Sequence, residues 1–519
     1  MKHIIYKVTG MLLALTTTLS SCDKDFEEIN TDPINILTTT PDKLLAPALV
    51  NTLSTNMNRN RNFNNELMQV TVSISDGDAT VFRYEFRRTW SDYTWNNWYV
   101  QLKNFKDIYA KASEPENLNT SYQGISLISQ AWVYSLLTDT YGDVPYTESN
   151  QGKDGLLEPA FDNQKDIYLD LFNKLEEANT LLSQGKEIVP SSDPVYNGNV
   201  VAWRKFGNAL YLRLLTRVSA KSDVSAATVA KIKEIVEGNP SKYPLMDNNA
   251  ASATIRWTGE AGSGPYVNPY VNAVRAQDFR SPGMGKFFIE QLRDWNDPRI
   301  IPAYGIEGIN SLGINPGGDS YSGVPSGYVV GEDVIKSAYF YSYETLSNNK
   351  AIGARSLQQS PLTGIIMNYA ELQFILAEAA VKGWISGSAE NYYNNGIANA
   401  INYWVPRFPA DVSSETFTDY VSGADINWDA TLSLEGKMEQ IHLQKYFALF
   451  LVDMQQWFEY RRTGHPVLPK GAGMRNNGVM PARMAYPVYV QSANPTNYKA
   501  AVAAQGPDEI FTNVWWQKP

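Results

Sequence analysis

The sequence predicts a mainly α-helical single domain with long irregular loops and only minor β-hairpins. Three observations predict it. Apolar residues recur at helical spacing through most of the chain, the pattern of helices with one buried face. One internal tract, 247–362, breaks that pattern and is rich in Gly, Pro, Ser and Tyr. Long ordered loops inside a helical protein are uncommon and tend to carry function. Beyond the leader, no uncharged apolar stretch is long enough to span a bilayer, so the helices must bury their apolar faces against one another.

The chain opens on that leader. Lys2 and Lys7 precede an uncharged run from Gly10 to Leu19, and small residues follow. A basic start, a short apolar core and small residues before a cut site describe a secretory signal peptide, here 1–21. Cys22 is the only cysteine, which rules out an intrachain disulfide. Its place after Leu19-Ser20-Ser21 resembles the lipobox of bacterial lipoproteins, whose thiol carries the lipid anchor. Residues 22–41 read as a polar lipidated tether, rich in Asn, Thr, Asp and Pro. Asp23, Asp25, Glu27 and Glu28 resemble the surface-export signal of Bacteroidetes-type lipoproteins. The net charge is −10, and loss of Lys2 and Lys7 makes the mature chain more acidic still. An acidic surface repels phosphate backbones, which excludes nucleic acid as a partner. It also leaves the lipid, not electrostatics, to hold the chain at a membrane.

Residues 42–519 form the helical domain. Helices are predicted over 42–57, 94–112, 121–140, 164–184, 200–220 and 225–237, then over 365–384, 388–404 and 433–462. In 164–184, Ile167, Leu171, Leu175, Ala178 and Leu182 share one face, and Asp162 and Asn163 stand before it as caps. Segment 365–384 is apolar nearly all round, so it is expected between other helices. Gly142 and Pro145 mark a helix stop. Arg213 and Arg217 lie four apart on one face, set to pair with carboxylates. Trp95, Trp98 and Trp457 are assigned to the core.

Several chemistries have no signal. After the leader only His442 and His465 remain, too few with Cys22 lipidated for a zinc cluster. There is no G-x-S-x-G elbow and no phosphate-cradling G-x-x-x-x-G-K-[ST] loop. Asp76-Gly77-Asp78 reads as a turn, with a structural calcium as the alternative and no metal otherwise assigned. A glycoside hydrolase needs only two well-placed carboxylates, and among 54 acidic residues nothing singles out a pair.

A series of strings resembles one family, the SusD/RagB-type nutrient-binding lipoproteins. They are Asn30-Thr31-Asp32-Pro33 with Pro41-Asp42-Lys43-Leu44-Leu45; Asp139-Thr140-Tyr141-Gly142-Asp143-Val144-Pro145-Tyr146; and Trp203-Arg204-Lys205-Phe206-Gly207-Asn208. Met367-Asn368-Tyr369-Ala370-Glu371-Leu372-Gln373-Phe374, Trp457-Phe458-Glu459-Tyr460-Arg461-Arg462-Thr463-Gly464, Pro481-Ala482-Arg483-Met484-Ala485-Tyr486-Pro487 and the Trp515-Trp516 tail complete it, in order from end to end. The resemblance implies a scaffold of tetratricopeptide-like helix pairs and a binder rather than an enzyme. It implies lipid-anchored residence at the outer-membrane surface and a SusC-like TonB-dependent transporter as partner. The implied ligand is an oligosaccharide, with an oligopeptide as the alternative.

A sugar site needs flat rings beside polar side chains, because ring faces carry C–H groups and ring edges carry hydroxyls. Two stretches combine them. Residues 76–92 offer Phe82, Tyr84 and Trp90 beside Asp78 and Arg83. Residues 257–345 offer Trp257, Tyr266, Tyr270, Tyr304, Tyr321 and Tyr328 beside Asn268, Arg275 and Asp319. Trp90 and Tyr321 are the foremost expected platforms, and Arg275 the expected polar contact.

Overall fold

Asparagine caps set the start of helix after helix. The computed structural model describes residues 39–258, 266–343 and 355–518. Of the two units into which the chain divides, Met1–Thr40 has only its last two residues described, so the leader, Cys22 and nearly all of the tether lie outside the described residues. The unit Pro41–Pro519 holds every element below. Helix α1 (Pro41–Arg59) buries Leu45, Ala48, Leu49 and Leu53 on one face and runs on into a π-helical turn, Asn60–Asn64. Helix α2 (Trp90–Lys111) returns alongside it, with Trp98 Nε1 donating to Asn56 Oδ1 at 2.8 Å. Helices α3 (Thr120–Tyr141), α4 (Gln164–Leu182), α5 (Val200–Val218) and α6 (Ser225–Lys233) follow, each packed on the one before. Asn119, Asn163 and Asn199 cap α3, α4 and α5, each accepting a first-turn backbone N–H at 3.0 Å. Such caps satisfy N–H groups that have no partner inside the helix. Gly142, at φ +83, ends α3 where the sequence places a stop.

The second helical block comprises α8 (Tyr369–Val381), α9 (Ala389–Trp404), α10 (Glu415–Gly423), α11 (Leu434–Ala448) and α12 (Gln455–Thr463), with α13 (Pro495–Gln505) near the end. Among the described residues of the loop-rich tract, Lys286–Asp294 is the longest helix, after two five-residue ones at Pro269–Ala273 and Ala276–Arg280. Two expectations are corrected. The stretch 433–462 is two helices, not one, because Leu451 (φ +65) and Asp453 (φ +42) take left-handed conformations between them. That break turns Asp453 inward. Its carboxylate accepts Asn56 Nδ2 at 2.7 Å and Trp132 Nε1 at 2.8 Å, and its carbonyl accepts Asn60 Nδ2 at 2.6 Å. Segment 365–384 begins as a strand and turns helical only after Asn368, which caps α8 by accepting Glu371 N–H at 2.8 Å. The segment is buried as far as Ala379, Tyr369 excepted, as its all-round apolar pattern requires, and its last turn reaches the surface.

Among the described residues the β structure is four two-stranded antiparallel pairs: β1 (Thr71–Val72) with β5 (Gly283–Met284), β2 (Val144–Pro145) with β3 (Phe161–Asp162), β4 (Ala253–Ile255) with β8 (Gly364–Met367), and β6 (Ile314–Asn315) with β7 (Tyr339–Phe340).

The recurring strings meet in the core. Asp139 of α3 accepts from Tyr168 Oη at 2.6 Å and Trp516 Nε1 at 2.8 Å and faces Arg217 at 3.6 Å. Its carbonyl accepts Arg461 Nη2 at 2.6 Å. Arg213 grips Glu371 through two 2.6 Å bonds, with both side chains buried. Unpaired ions in such an interior cost several kcal/mol each, so charges there come in matched sets. Trp95, Trp98 and Trp457 are core residues, as assigned.

Candidate ligand-binding cleft

Helix α7, the Lys286–Asp294 segment, turns loop into site. Phe288, Ile289 and Leu292 face the core. Phe287, Glu290, Gln291 and Asp294 fall at i, i+3, i+4 and i+7, hence on one common face. They line a cleft of about 420 Å³. Pro325 and Ser326 form a second wall, Pro469-Lys470-Gly471 a third, and Gln69 and Lys286 complete it.

These walls come from remote parts of the chain and are tied backbone to backbone. The β1–β5 pairing sets residues 69–72 beside 283–285, with Gly285 N–H donating to Val70 O at 2.8 Å. Lys286 N–H reaches Val324 O at 2.8 Å, and Gly473 N–H reaches Gly327 O at 2.8 Å. Gln69 Nε2 donates to Pro469 O at 2.7 Å. Gly473 has no room for a side chain, since a Cβ there would sit 2.1 Å from Tyr328 O. Close approach of two backbones is a standing reason for glycine.

Arg83 anchors the second wall from within. Its side chain is buried, with Nε donating to Tyr328 O at 3.2 Å, Nη1 to Ser75 O at 2.8 Å and Nη1 to Thr80 Oγ1 at 3.3 Å. The guanidinium carbon lies 4.5 Å from the Phe82 ring centre and 4.6 Å from that of Tyr328, and these rings stack at 5.3 Å. Tyr328 Oη accepts Ser75 N–H at 2.7 Å, and Ser326 Oγ donates to Phe82 O at 3.1 Å. Close by in sequence, burial pushes the Glu66 carboxyl up to about 7, opposed by a hydrogen bond from Ser73 Oγ.

The charges of the lining are unevenly satisfied. Arg293 holds both carboxylates, Asp294 at 2.8 Å and Glu290 at 3.7 Å, and donates to Tyr321 O at 2.9 Å. The ammonium groups of Lys286 and Lys470 have no hydrogen bond or ion pair among the described residues. Among the described residues, no group of three or more His, Cys, Asp or Glu side chains gathers as a metal ion would need. Asp76 accepts Gly331 N–H at 3.1 Å and lies 3.9 Å from the Arg83 guanidinium, so it ties its loop to a segment remote in sequence.

A second concavity, about 700 Å³, has a different character. Trp95, Tyr99, Val100, Leu157, Phe161 and Tyr489 make its lining largely apolar, and Val100, Leu157 and Tyr489 are exposed.

The family model SusD-like_2, described as "Starch-binding associating with outer membrane", matches residues 33–487. The chain belongs to the SusD-like family. A SusD homolog from Bacteroides fragilis is 25% identical and aligns over 93% of this chain and 100% of its own, with a TM-score of 0.73. A SusD homolog from Bacteroides uniformis shares the fold at 24% identity, 92% and 99% coverage and a TM-score of 0.68. So does a chitin-binding SusD homolog from Flavobacterium johnsoniae, at 20% identity, 92% and 98% coverage and a TM-score of 0.70. No curated protein matches the chain. No described helix of this SusD-like protein is long and apolar enough to cross a membrane.

The predicted site residues divide by exposure. Phe82, Tyr84, Trp257, Tyr270 and Tyr328 are buried, none more than 4% exposed. Their rings pin loops to the scaffold, as where Tyr270 Oη donates to Met57 O at 3.0 Å. Trp90, Tyr266, Tyr304 and Tyr321 are half-buried. Trp90 lies under the Arg59 guanidinium at 4.6 Å. Tyr266 accepts Thr258 N–H through its carbonyl, at 2.7 Å. Tyr304 accepts Arg407 Nη2 likewise, at 3.1 Å. Arg275 is exposed and paired with Asp278 at 2.6 Å. Only Tyr321, through its hold on Arg293, is joined to the cleft face of α7. The residues that sequence reasoning missed, Phe287, Glu290, Gln291 and Asp294, had a usable signal: Phe288, Ile289, Leu292 and Trp295 keep helical spacing beside them.

Proposed function

We propose that this SusD-like protein captures an oligosaccharide in the α7 cleft and passes it to a SusC-like TonB-dependent transporter, held at the outer-membrane surface by lipid on Cys22. The observation that carries the ligand half is the common face of α7. It sets the Phe287 ring beside Gln291, with Ser326 and Gln69 across the cleft, which is the pairing of apolar ring face and polar side chains that sugar rings require. Arg293 occupies both carboxylates of the lining, which favours binding over hydrolysis. The partner half is supported by the apolar groove around Val100, Leu157 and Tyr489, since contiguous exposed apolar surface marks a protein contact.

Calorimetry against a glycan panel tests the ligand half. Phe287→Ala should weaken binding about tenfold, the worth of one stacking ring. Tyr321→Ala, run beside it, should weaken binding less, through Arg293. Unchanged affinity in Phe287→Ala places the site elsewhere. For the anchor, Cys22→Ser should leave the membrane fraction. A variant that still sediments with membranes in high salt removes the lipid from the scheme.

A further inference from the structure

The charge balance of the cleft narrows the ligand class, provided that the cleft is the ligand site as proposed above. Four charged side chains line it: Lys286, Glu290, Asp294 and Lys470. The two acids are already answered by Arg293, whose remaining bond goes to the Tyr321 carbonyl. The two lysines come from different walls, one from the first residue of α7 and one from the 469–471 segment, and both ammonium groups are unpaired. Elsewhere some lysines pair, as in Lys103–Asp107, Lys205–Asp247, Lys231–Glu234 and Lys382–Glu378, and others such as Lys153 and Lys499 do not; what sets Lys286 and Lys470 apart is that two unpaired ammonium groups share one concavity. Like charges brought into one concavity repel, and the concavity concentrates their field. Counting Arg293, the cleft holds three cations against two anions, the reverse of the chain's net charge of −10.

We propose that the cleft takes an acidic oligosaccharide, a chain of sugar rings that carries carboxylate or sulfate groups. The anionic substituents meet Lys286 and Lys470, a ring face meets Phe287, and hydroxyls meet Gln291. A neutral glycan fills the same space but leaves both ammonium groups to water alone.

The test is calorimetry at low and at physiological ionic strength on the parent protein and on Lys286→Gln, Lys470→Gln, the double variant and Phe287→Ala. Tetragalacturonate supplies carboxylates, a carrageenan tetrasaccharide supplies sulfate without carboxylate, and cellotetraose and maltotetraose supply neither. At least one acidic probe should bind tighter than both neutral ones, and its binding should weaken as salt rises. Each lysine variant should lose about threefold and the double variant about tenfold for that probe, with neutral binding unchanged. Which acidic probe binds identifies the anion. Neutral glycans that bind as tightly as the acidic ones, in a Phe287-dependent way, overturn the charge inference and leave the cleft in place. Acidic binding that none of the variants alters, or no binding by any glycan, overturns both. Tighter binding of an acidic peptide such as tetraglutamate overturns the sugar class. Circular dichroism on each variant checks that the exposed lysine substitutions, and the substitution of half-buried Phe287, whose ring also packs on Tyr446 at 5.5 Å, leave the fold intact.

Discussion

Arg83→Met probes how the scaffold holds the cleft. Methionine keeps much of the apolar volume of the arginine stem, so the loss is chiefly of the guanidinium and its bonds. Three go, to Tyr328 O, Ser75 O and Thr80 Oγ1, together with a 3.9 Å ion pair to the exposed Asp76 that contributes little. Ser75 O keeps a second donor in Tyr328 Oη at 3.1 Å, whereas no other donor to Tyr328 O is seen among the described residues. One stranded carbonyl, two weakened contacts and two lost cation–π contacts, offset by relief of a buried charge, come to about 3 kcal/mol. The assay is urea unfolding, read as a fall in midpoint at constant slope. The Pro325-Ser326 wall should loosen at the same time, so glycan affinity falls with stability. Arg83→Lys should recover less than half of the loss, because one ammonium cannot span the two carbonyls that the planar fork reaches. A loss below about 1 kcal/mol for Arg83→Met, with cleft affinity intact, refutes Arg83 as the anchor.

Gly473→Ala forces a Cβ to within 2.1 Å of Tyr328 O, so the third wall must move; thermal unfolding should drop and hydrogen exchange across 324–328 should quicken, and an unchanged melting curve counts against the close fit. The raised Glu66 carboxyl gives a pH dependence of definite sign. The folded chain takes up a proton there between the ordinary carboxylate range and about 7, where the unfolded chain does not, so stability falls as pH rises through that window. Glu66→Gln should flatten that fall by up to about 3 kcal/mol between pH 5 and 8, with the parallel contribution of Asp453, also pushed up to about 7 by burial, left in both proteins. Identical slopes for parent and variant remove Glu66 as the source.

What the sequence made legible is what a short stretch encodes by itself. Helix α4 carries its apolar face in Ile167, Leu171 and Leu175 and its cap in Asn163, all within one segment. The break before Gln455 was not legible, because what favours it is the meeting of Asp453 with Asn56, Asn60 and Trp132, residues supplied by α1, its π turn and α3. The aromatic-rich loops drew attention for a sound chemical reason, yet composition cannot separate a ring that faces water from one that pins a loop. Phe82 and Tyr328 satisfy one another by stacking, and that pairing exists only once the fold has brought them together. Helix α7 escaped because its apolar positions, 288, 289, 292 and 295, occupy a short run set among glycines and prolines. Its exposed face gained meaning only from Ser326 and Lys470, which sequence order places far away.

The hydrogen bond from Gln69 to Pro469 spans 400 residues of chain. Loops of that length close slowly, because the entropy of joining their ends must be met before the contacts made there give anything back. The helix pairs close short loops and can form early; the cleft cannot exist until the segment near residue 470 has folded back onto the segment near residue 70. The wall that joins Gln69 to Pro469 is thus among the last parts of the fold to be completed. With the cleft as the ligand site, as proposed above, a bound glycan would staple residues near 70 to residues near 470, so saturation should slow unfolding from the cleft side while leaving the helix pairs to exchange as before.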